Sequence, residues 1–194
     1  FKLTASDPAP NQFGSSVAIS GNIAMVGGPA DSHAGISFAG SAYLFDVTTG
    51  QQLTKLTASD AAVGDSFGVS VAISGNFAVV GAAGGNGSAY QFDVRTHEEL
   101  IKLTASDAAE GHDFGASVSL SGSRALVGSP GAAAYSGAAY MFSTIPEPAS
   151  LALLALGLPL LVGRDLRRSG SGGSHRPLTL VLDRGSLFKE RRIR

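Results

Sequence analysis

The chain has 194 residues, of which 44% are hydrophobic, 15% charged and 26 glycine, with a formal net charge of −1. It contains no Cys, which excludes a disulfide framework, a thiolate zinc site and a Cys nucleophile, while apolar residues spread as short runs exclude a body disordered by composition. The charge is unevenly placed: residues 1–145 hold five Lys/Arg and eleven Asp/Glu, a net of −6, and residues 164–194 hold nine Lys/Arg and three Asp/Glu, a net of +6. An acidic body lacks the clustered positive charge that phosphate recognition needs, so nucleic acid is not expected as its partner.

In chain order, the first segment is already part of a repeat. "KLTASD" stands at Lys2–Asp7, Lys55–Asp60 and Lys102–Asp107. The chain opens at Phe1 within that repeat, with neither Met nor a signal peptide, so an upstream segment is expected to precede it. Each copy is followed by Phe-Gly (Phe13-Gly14, Phe67-Gly68, Phe114-Gly115), then by "SVAISGNIAMVGGP", "SVAISGNFAVVGAA" or "SVSLSGSRALVGSP", and then by "SAYLFDV", "SAYQFDV" or "AAYMFST". A self-similar unit repeated about every 50 residues is the signature of a repeat architecture.

Within a unit the pattern predicts four short strands. In the first they are Ser16–Ser20, Ile23–Gly27 after a Ser-Gly-Asn hairpin step, Ala42–Val47, and Leu53–Thr57 after "TTGQ". Alternation with period 2 points to antiparallel sheet, and no helical period occurs in the body. The expected fold class is therefore all-β, with β-propeller-type four-stranded blades over residues 1–144. Phe1–Ala5 reads as a fourth strand and is a candidate to complete the unit that begins at Phe114. Three blades are fewer than the four to eight usual for propellers and leave the end sheets without neighbours. Either the chain is a piece of a larger propeller, the favoured reading, or copies assemble, or three blades close in a tight ring.

The Phe-Gly units with their "VGGP", "VGAA" and "VGSP" segments resemble the FG-GAP repeat, the blade unit of integrin α-subunit propellers and of many bacterial surface proteins. The resemblance spans about residues 1–143 and implies a propeller in which Phe13, Phe67 and Phe114 fill the gaps between blades. Gly14, Gly68 and Gly115 then allow close backbone approach. Calcium-binding members of that family carry an Asp-rich loop between the first two strands. Here those links are "SGN", "SGN" and "SGS", without the oxygen ligands such a cation takes, so neither a metal nor another cofactor is expected.

After the repeats comes "IPEPASLALLALGLPLLVGRDLRR", which resembles a PEP-CTERM sorting signal: Pro146, Glu147 and Pro148, an apolar stretch, then Arg164, Arg167 and Arg168. Residues 149–163 would form about 22 Å of helix, short for a bilayer core of about 30 Å, with the arginines on the cytoplasmic side and the repeats outside. The resemblance implies processing by an exosortase, a membrane-associated partner, and location in the cell envelope or at the surface. The last segment, 169–194, reads as a basic tail led by the flexible "SGSGGS" and is assigned no function.

Convergent catalytic groups are not apparent. His33, His97, His112 and His175 lie in different contexts without metal-ligand spacing, and His112-Asp113 reads as an exposed loop pair. Asp7, Asp60 and Asp107 recur at one position and are expected to cap their own turns. Gly81–Gly87 lacks the Lys-Ser/Thr of a phosphate loop. The segment between the second and third strands varies most among units, and variable loops on a rigid scaffold are where binding is placed, so His33, Phe38 and Tyr135 are the candidate ligand contacts. The expected function is a surface binding or adhesion module, not an enzyme, that recognises glycan, matrix or a surface protein. The rivals are a secreted hydrolase or lyase on a propeller scaffold and a purely architectural repeat.

Overall fold

A computed structural model describes residues 2–7, 11–143 and 191–193. The sorting signal, the apolar stretch expected to be a helix, and most of the basic tail lie outside the described residues. The described part is all-β: three four-stranded antiparallel sheets, each a meander. The first sheet holds β1 (Ser16–Ser20), β2 (Ile23–Gly28), β3 (Ser41–Asp46) and β4 (Gln52–Leu56). The second holds β5 (Phe67–Ser74), β6 (Phe77–Ala82), β7 (Ser88–Asp93) and β8 (Glu99–Leu103). The third holds β9 (Ser117–Ser121), β10 (Arg124–Ser129), β11 (Ala138–Ser143) and β12 (Arg191–Ile193), with a four-residue helical turn α1 (Ala132–Tyr135) between β10 and β11.

Local chemistry explains the repetition. The β1–β2 hairpin pairs Ser20 with Ile23 across Gly21-Asn22. Gly21, Gly75 and Gly122 all take positive φ (+57°, +57° and +55°), the conformation a two-residue turn with Gly first demands. The fourth strands β4 and β8 each carry a bulge, where register shifts opposite Leu44/Phe45 and Gln91/Phe92. The extra residues, Leu53 and Leu100, face solvent in both sheets. A bulge that turns one side chain out accounts for a Leu at an otherwise odd place.

Each sheet has a front face and a rear face, because alternate residues point opposite ways. The rear of the first sheet (Met25, Ala42, Leu44, Leu56) packs on the front of the second (Phe67, Val71, Ile73, Val80, Tyr90, Phe92). The rear of the second (Val79, Ala89, Leu103) packs in the same way on the front of the third (Phe114, Val127, Tyr140, Phe142). Middle strands are therefore covered on both sides, which is why β3 and β7 are buried at nearly every position, Ser41 and Gln91 included, rather than alternating.

The Phe of each Phe-Gly step anchors these interfaces. Phe67 meets the rings of Tyr90 at 5.5 Å and Phe92 at 5.9 Å, and Phe114 meets Tyr140 at 5.4 Å and Phe142 at 6.0 Å. The second pair is edge-on, an arrangement that aromatic quadrupoles favour. The following Gly is required by space and by backbone alike. Gly68 (φ +91°) lies so close to Ser41 that an added Cβ would come within 2.2 Å of its carbonyl oxygen.

Lys2–Ala5, expected as the strand completing the third sheet, is not a strand and lies elsewhere. Leu3 and Ala5 pack against Ala24, Val26, Tyr43 and Phe45 on the front of the first sheet. This is the place that Leu56 and Ala58 take on the front of the second. Apolar burial there holds the segment, and the fourth position of the third sheet is filled by Arg191–Ile193, paired with β11.

Candidate functional site

The repeated "KLTASD" and "SAY" segments meet across each interface and build one polar cluster per unit. In the second unit Asp60, which follows the first sheet, accepts from Tyr90 Oη at 2.8 Å and from Lys102 Nζ at 2.6 Å, both on the second sheet. Lys102 also sits 5.3 Å from the centre of the Tyr90 ring, a cation–π approach. In the third unit Tyr140 Oη donates to Asp107 at 2.6 Å. In the first, Lys55 Nζ bridges Asp7 and Asp31, the latter at 2.8 Å, and lies 5.7 Å from the Tyr43 ring centre. Asp60 and Asp107 thus latch one sheet to the next, and Asp7 ties the segment before β1 to the first sheet. Asp60 also accepts a hydrogen bond from its own backbone, the local role that its position after Ser suggested. Asp46 and Asp93 cap turns as well, their Oδ1 atoms accepting the backbone N–H groups of Thr48 and Thr49, and of Arg95 and Thr96.

The first cluster is the most elaborate. Asp31 is 1% exposed and is held by Lys55, by Ser41 Oγ donating at 2.5 Å, and by His33 Nδ1 at 3.3 Å. Burial alone would raise its pKa, but the hydrogen bonds and charge of Lys55, with Ser41 and His33, outweigh it and hold the carboxyl below the ordinary value. Lys55 is likewise held above its usual range: burial opposes the charge, and Asp31 and Asp7 more than restore it. Asp60 is depressed mainly by Lys102. Tyr43 and Tyr90 are pushed up to about 12, chiefly by burial. Among the described residues no group of His, Cys, Asp and Glu has the arrangement to hold a metal ion.

His33 also lines an open cleft of about 400 Å³, together with Ala34, Ile36, Thr57, Ser59 and Asp60. The cleft lies between the long loop of the first unit and the exit of β4. The loop is braced on the second sheet's approach by Gly64 N–H to Ser37 O at 3.0 Å, Ser66 N–H to Phe38 O at 3.1 Å and Phe67 N–H to Ala39 O at 2.9 Å. Ala34 and Phe38 both have positive φ (52° and 53°). Phe38 is exposed and lies outside the cleft lining, and Tyr135 is exposed on α1 of the third unit. The three candidate contacts therefore do not converge. His112 serves through its backbone, its carbonyl accepting from Ser129 Oγ at 2.6 Å and from Gly131 N–H at 3.1 Å.

Lys55, Lys102, Tyr43, Tyr90 and Asp31 were not singled out from sequence. The signal was present in part, since Lys and Tyr recur in every aligned unit, and the β3–β4 and β7–β8 registers pair Tyr43 with Lys55 and Tyr90 with Lys102.

A comparison with curated proteins found no match. Among solved structures, the chain is similar to the computationally designed Ika8 protein, with 19% identity and a TM-score of 0.46 over 66% of this chain. The match spans 32% of that protein's length. Residues 144–168 match the PEP-CTERM protein-sorting motif, which marks the protein for export to the cell envelope and implies an exosortase as its processing enzyme. Residues 1–45, 51–92 and 98–142 match the FG-GAP repeat, and the chain belongs to the FG-GAP repeat family.

Proposed function

We propose that this protein is a non-catalytic binding module of the cell surface, delivered there through its sorting motif and recognising a polyhydroxylated ligand such as an envelope glycan. The observation that carries the reading is the cleft at His33. It is the longest and least repetitive loop of the three units, seated on a rigid stack, and it brings an imidazole, two hydroxyls (Thr57 and Ser59) and the Asp60 carboxylate beside small apolar side chains. Glu99 fixes Ser59, accepting from its N–H and its Oγ at 2.9 Å each, and a cleft with preset polar groups loses little entropy on binding. Residues 149–163 act as a brief membrane span until the exosortase acts, with Arg164, Arg167 and Arg168 retained on the cytoplasmic side.

Binding of the full chain to a panel of bacterial polysaccharides, measured by surface plasmon resonance, tests the ligand. Binding that weakens in His33→Ala and Ile36→Asp but not in Tyr135→Ala is the expected result. Binding unaffected by the cleft substitutions, no binding across the panel, or turnover of the polysaccharide would overturn the reading. For sorting, coexpression with an exosortase is expected to shorten the wild-type chain and to leave a variant with Pro146, Glu147 and Pro148 all changed to Ala intact.

A further inference from the structure

Asp31 and His33 stand two residues apart in the long loop of the first unit, and the loop gives them different surroundings. Asp31 is buried beneath Lys55 and Ser41, whereas His33 is partly exposed and lines the cleft. They meet through one atom pair, His33 Nδ1 against Asp31 Oδ2 at 3.3 Å. Burial alone would raise the pKa of that carboxyl, but Lys55, Ser41 and His33 hold it below the ordinary value. It is therefore ionised at neutral pH, and an ionised carboxylate accepts without donating. The proton of the contact belongs to Nδ1. In a neutral imidazole the other nitrogen, Nε2, is then left with a lone pair and no proton.

The rest of the network takes up the donors nearby. Lys55 is engaged by Asp7 and Asp31, and Lys102 by Asp60. Tyr90 Oη donates to Asp60, and Ser59 gives both its N–H and its Oγ proton to Glu99. Four carboxylates (Asp7, Asp31, Asp60 and Glu99) thus share this network with two ammonium groups. The lining side chains turn mainly acceptors toward a ligand: His33 Nε2, the remaining lone pairs of Asp60, and Ser59 Oγ, with the Thr57 hydroxyl as a donor. The pair belongs to the first unit, because the aligned loops at residues 81–87 and 130–137 contain neither a carboxylate nor an imidazole.

We propose that Asp31 is a positioning residue for this cleft: it holds His33 as the Nδ1–H tautomer, so that the wall offers Nε2 as an acceptor and the cleft takes uncharged sugars in preference to uronates and other acidic ones. A hydroxyl of a neutral sugar supplies the proton that Nε2 and Asp60 lack, and accepts one from Thr57. A carboxylate supplies none and meets the charge of Asp60, and like charges brought together cost affinity. Asp31 is buried away from the ligand and acts through the imidazole. The sugar preference rests on the glycan reading of the cleft, whereas the tautomer is a property of the chain without ligand.

Long-range proton–nitrogen NMR spectra of the full chain, in mild detergent to disperse the apolar stretch, read the tautomer, with the His33 ring assigned by its loss in His33→Gln. At about pH 8.5, above the range in which an ordinary imidazole titrates, the wild type is expected to carry the proton on Nδ1. Asp31→Asn is expected to move it to Nε2: Lys55 and Ser41 occupy the amide oxygen, and the amide nitrogen then donates to Nδ1. A wild type protonated on Nε2 overturns the proposal whether or not Asp31→Asn folds, and so does a folded Asp31→Asn that keeps the proton on Nδ1. Surface plasmon resonance with neutral polysaccharides, and with the same polymers oxidised to uronates, reads the preference. The neutral forms are expected to bind at least about 10-fold more tightly, by a margin that narrows in Asp31→Asn. Equal or tighter binding of the oxidised polymers overturns the preference. Binding of neither overturns the glycan reading together with the preference, and the spectra taken without ligand still decide the role of Asp31.

Discussion

The first and second sheets share nearly the same strand, "SVAIS", yet Val17 and Ile19 are open to solvent while Val71 and Ile73 are buried. Nothing local separates them, since both strands run antiparallel to a Gly-turned neighbour and carry the same residues on the same face. The difference is the sheet in front. Burial in this molecule belongs to the interface between units, not to the unit, and stability is expected to follow nearest-neighbour contacts.

The largest effect that sharpens this contrast is expected at the Phe-Gly anchors. Phe67→Ala removes a ring fully buried between two sheets and is expected to cost about 3–5 kcal/mol. The same change at the half-buried Phe13 is expected to cost less than half of that, as urea unfolding of the two variants would show. Asp31→Ala comes next. It removes a buried partner of Lys55 and Ser41, with an expected loss of about 3 kcal/mol, whereas Asp60→Ala breaks a largely exposed pair and is expected to cost about 1 kcal/mol or less. Gly81→Ala collides with a backbone carbonyl that cannot withdraw without parting two sheets and is expected to destabilise by about 1–3 kcal/mol. Gly128→Ala, which meets only a hydroxyl of its own sheet, should be the milder change by thermal melting.

The smallest effect is the dependence on pH. Asp31 and Asp60 are held below their unfolded values, so their contribution is complete above about pH 5 and is lost as the pH falls through about 4 and lower. Lys55 and Lys102 are held above theirs. Their contribution is complete below about pH 9 and is lost as the pH rises past about 10.4. A melting-temperature profile is expected to show a plateau between these limits, with both edges blunted in a variant carrying Lys55→Met and Lys102→Met.

Strands and turns were legible because period-2 alternation and Ser-Gly steps (Ser-Gly-Asn twice, Ser-Gly-Ser once) are local signals, present in all three units. The motif pairing of Phe with Gly was legible for the same reason. What escaped was whatever depends on which sheet stands next to which. Asp60 read as a turn cap from its neighbours Ser59 and Ala61, but its bonds to Tyr90 and Lys102, 30 and 42 residues away, left no local signal. Asp31 lay in a loop read as variable and as a place for binding, but the loop folds it under Lys55 and Ser41. The place of Arg191–Ile193 on β11 had no local signature at all: three residues of a basic tail, with neither a repeat nor a turn before them. Of the candidate contacts His33 lines a cleft, but its spatial separation from Tyr135 follows from packing of the units and not from either loop's composition.

Thiol labelling tests the front-to-rear stacking most directly, because the chain has no Cys of its own. In separate variants Val17→Cys and Val71→Cys, at a dilution where the chain is single, the Cys at 17 is expected to react with a maleimide at nearly the rate of a free thiol. The Cys at 71 is expected to react at least about 100-fold more slowly until denaturant opens the fold. Equal rates at the two positions would contradict the account.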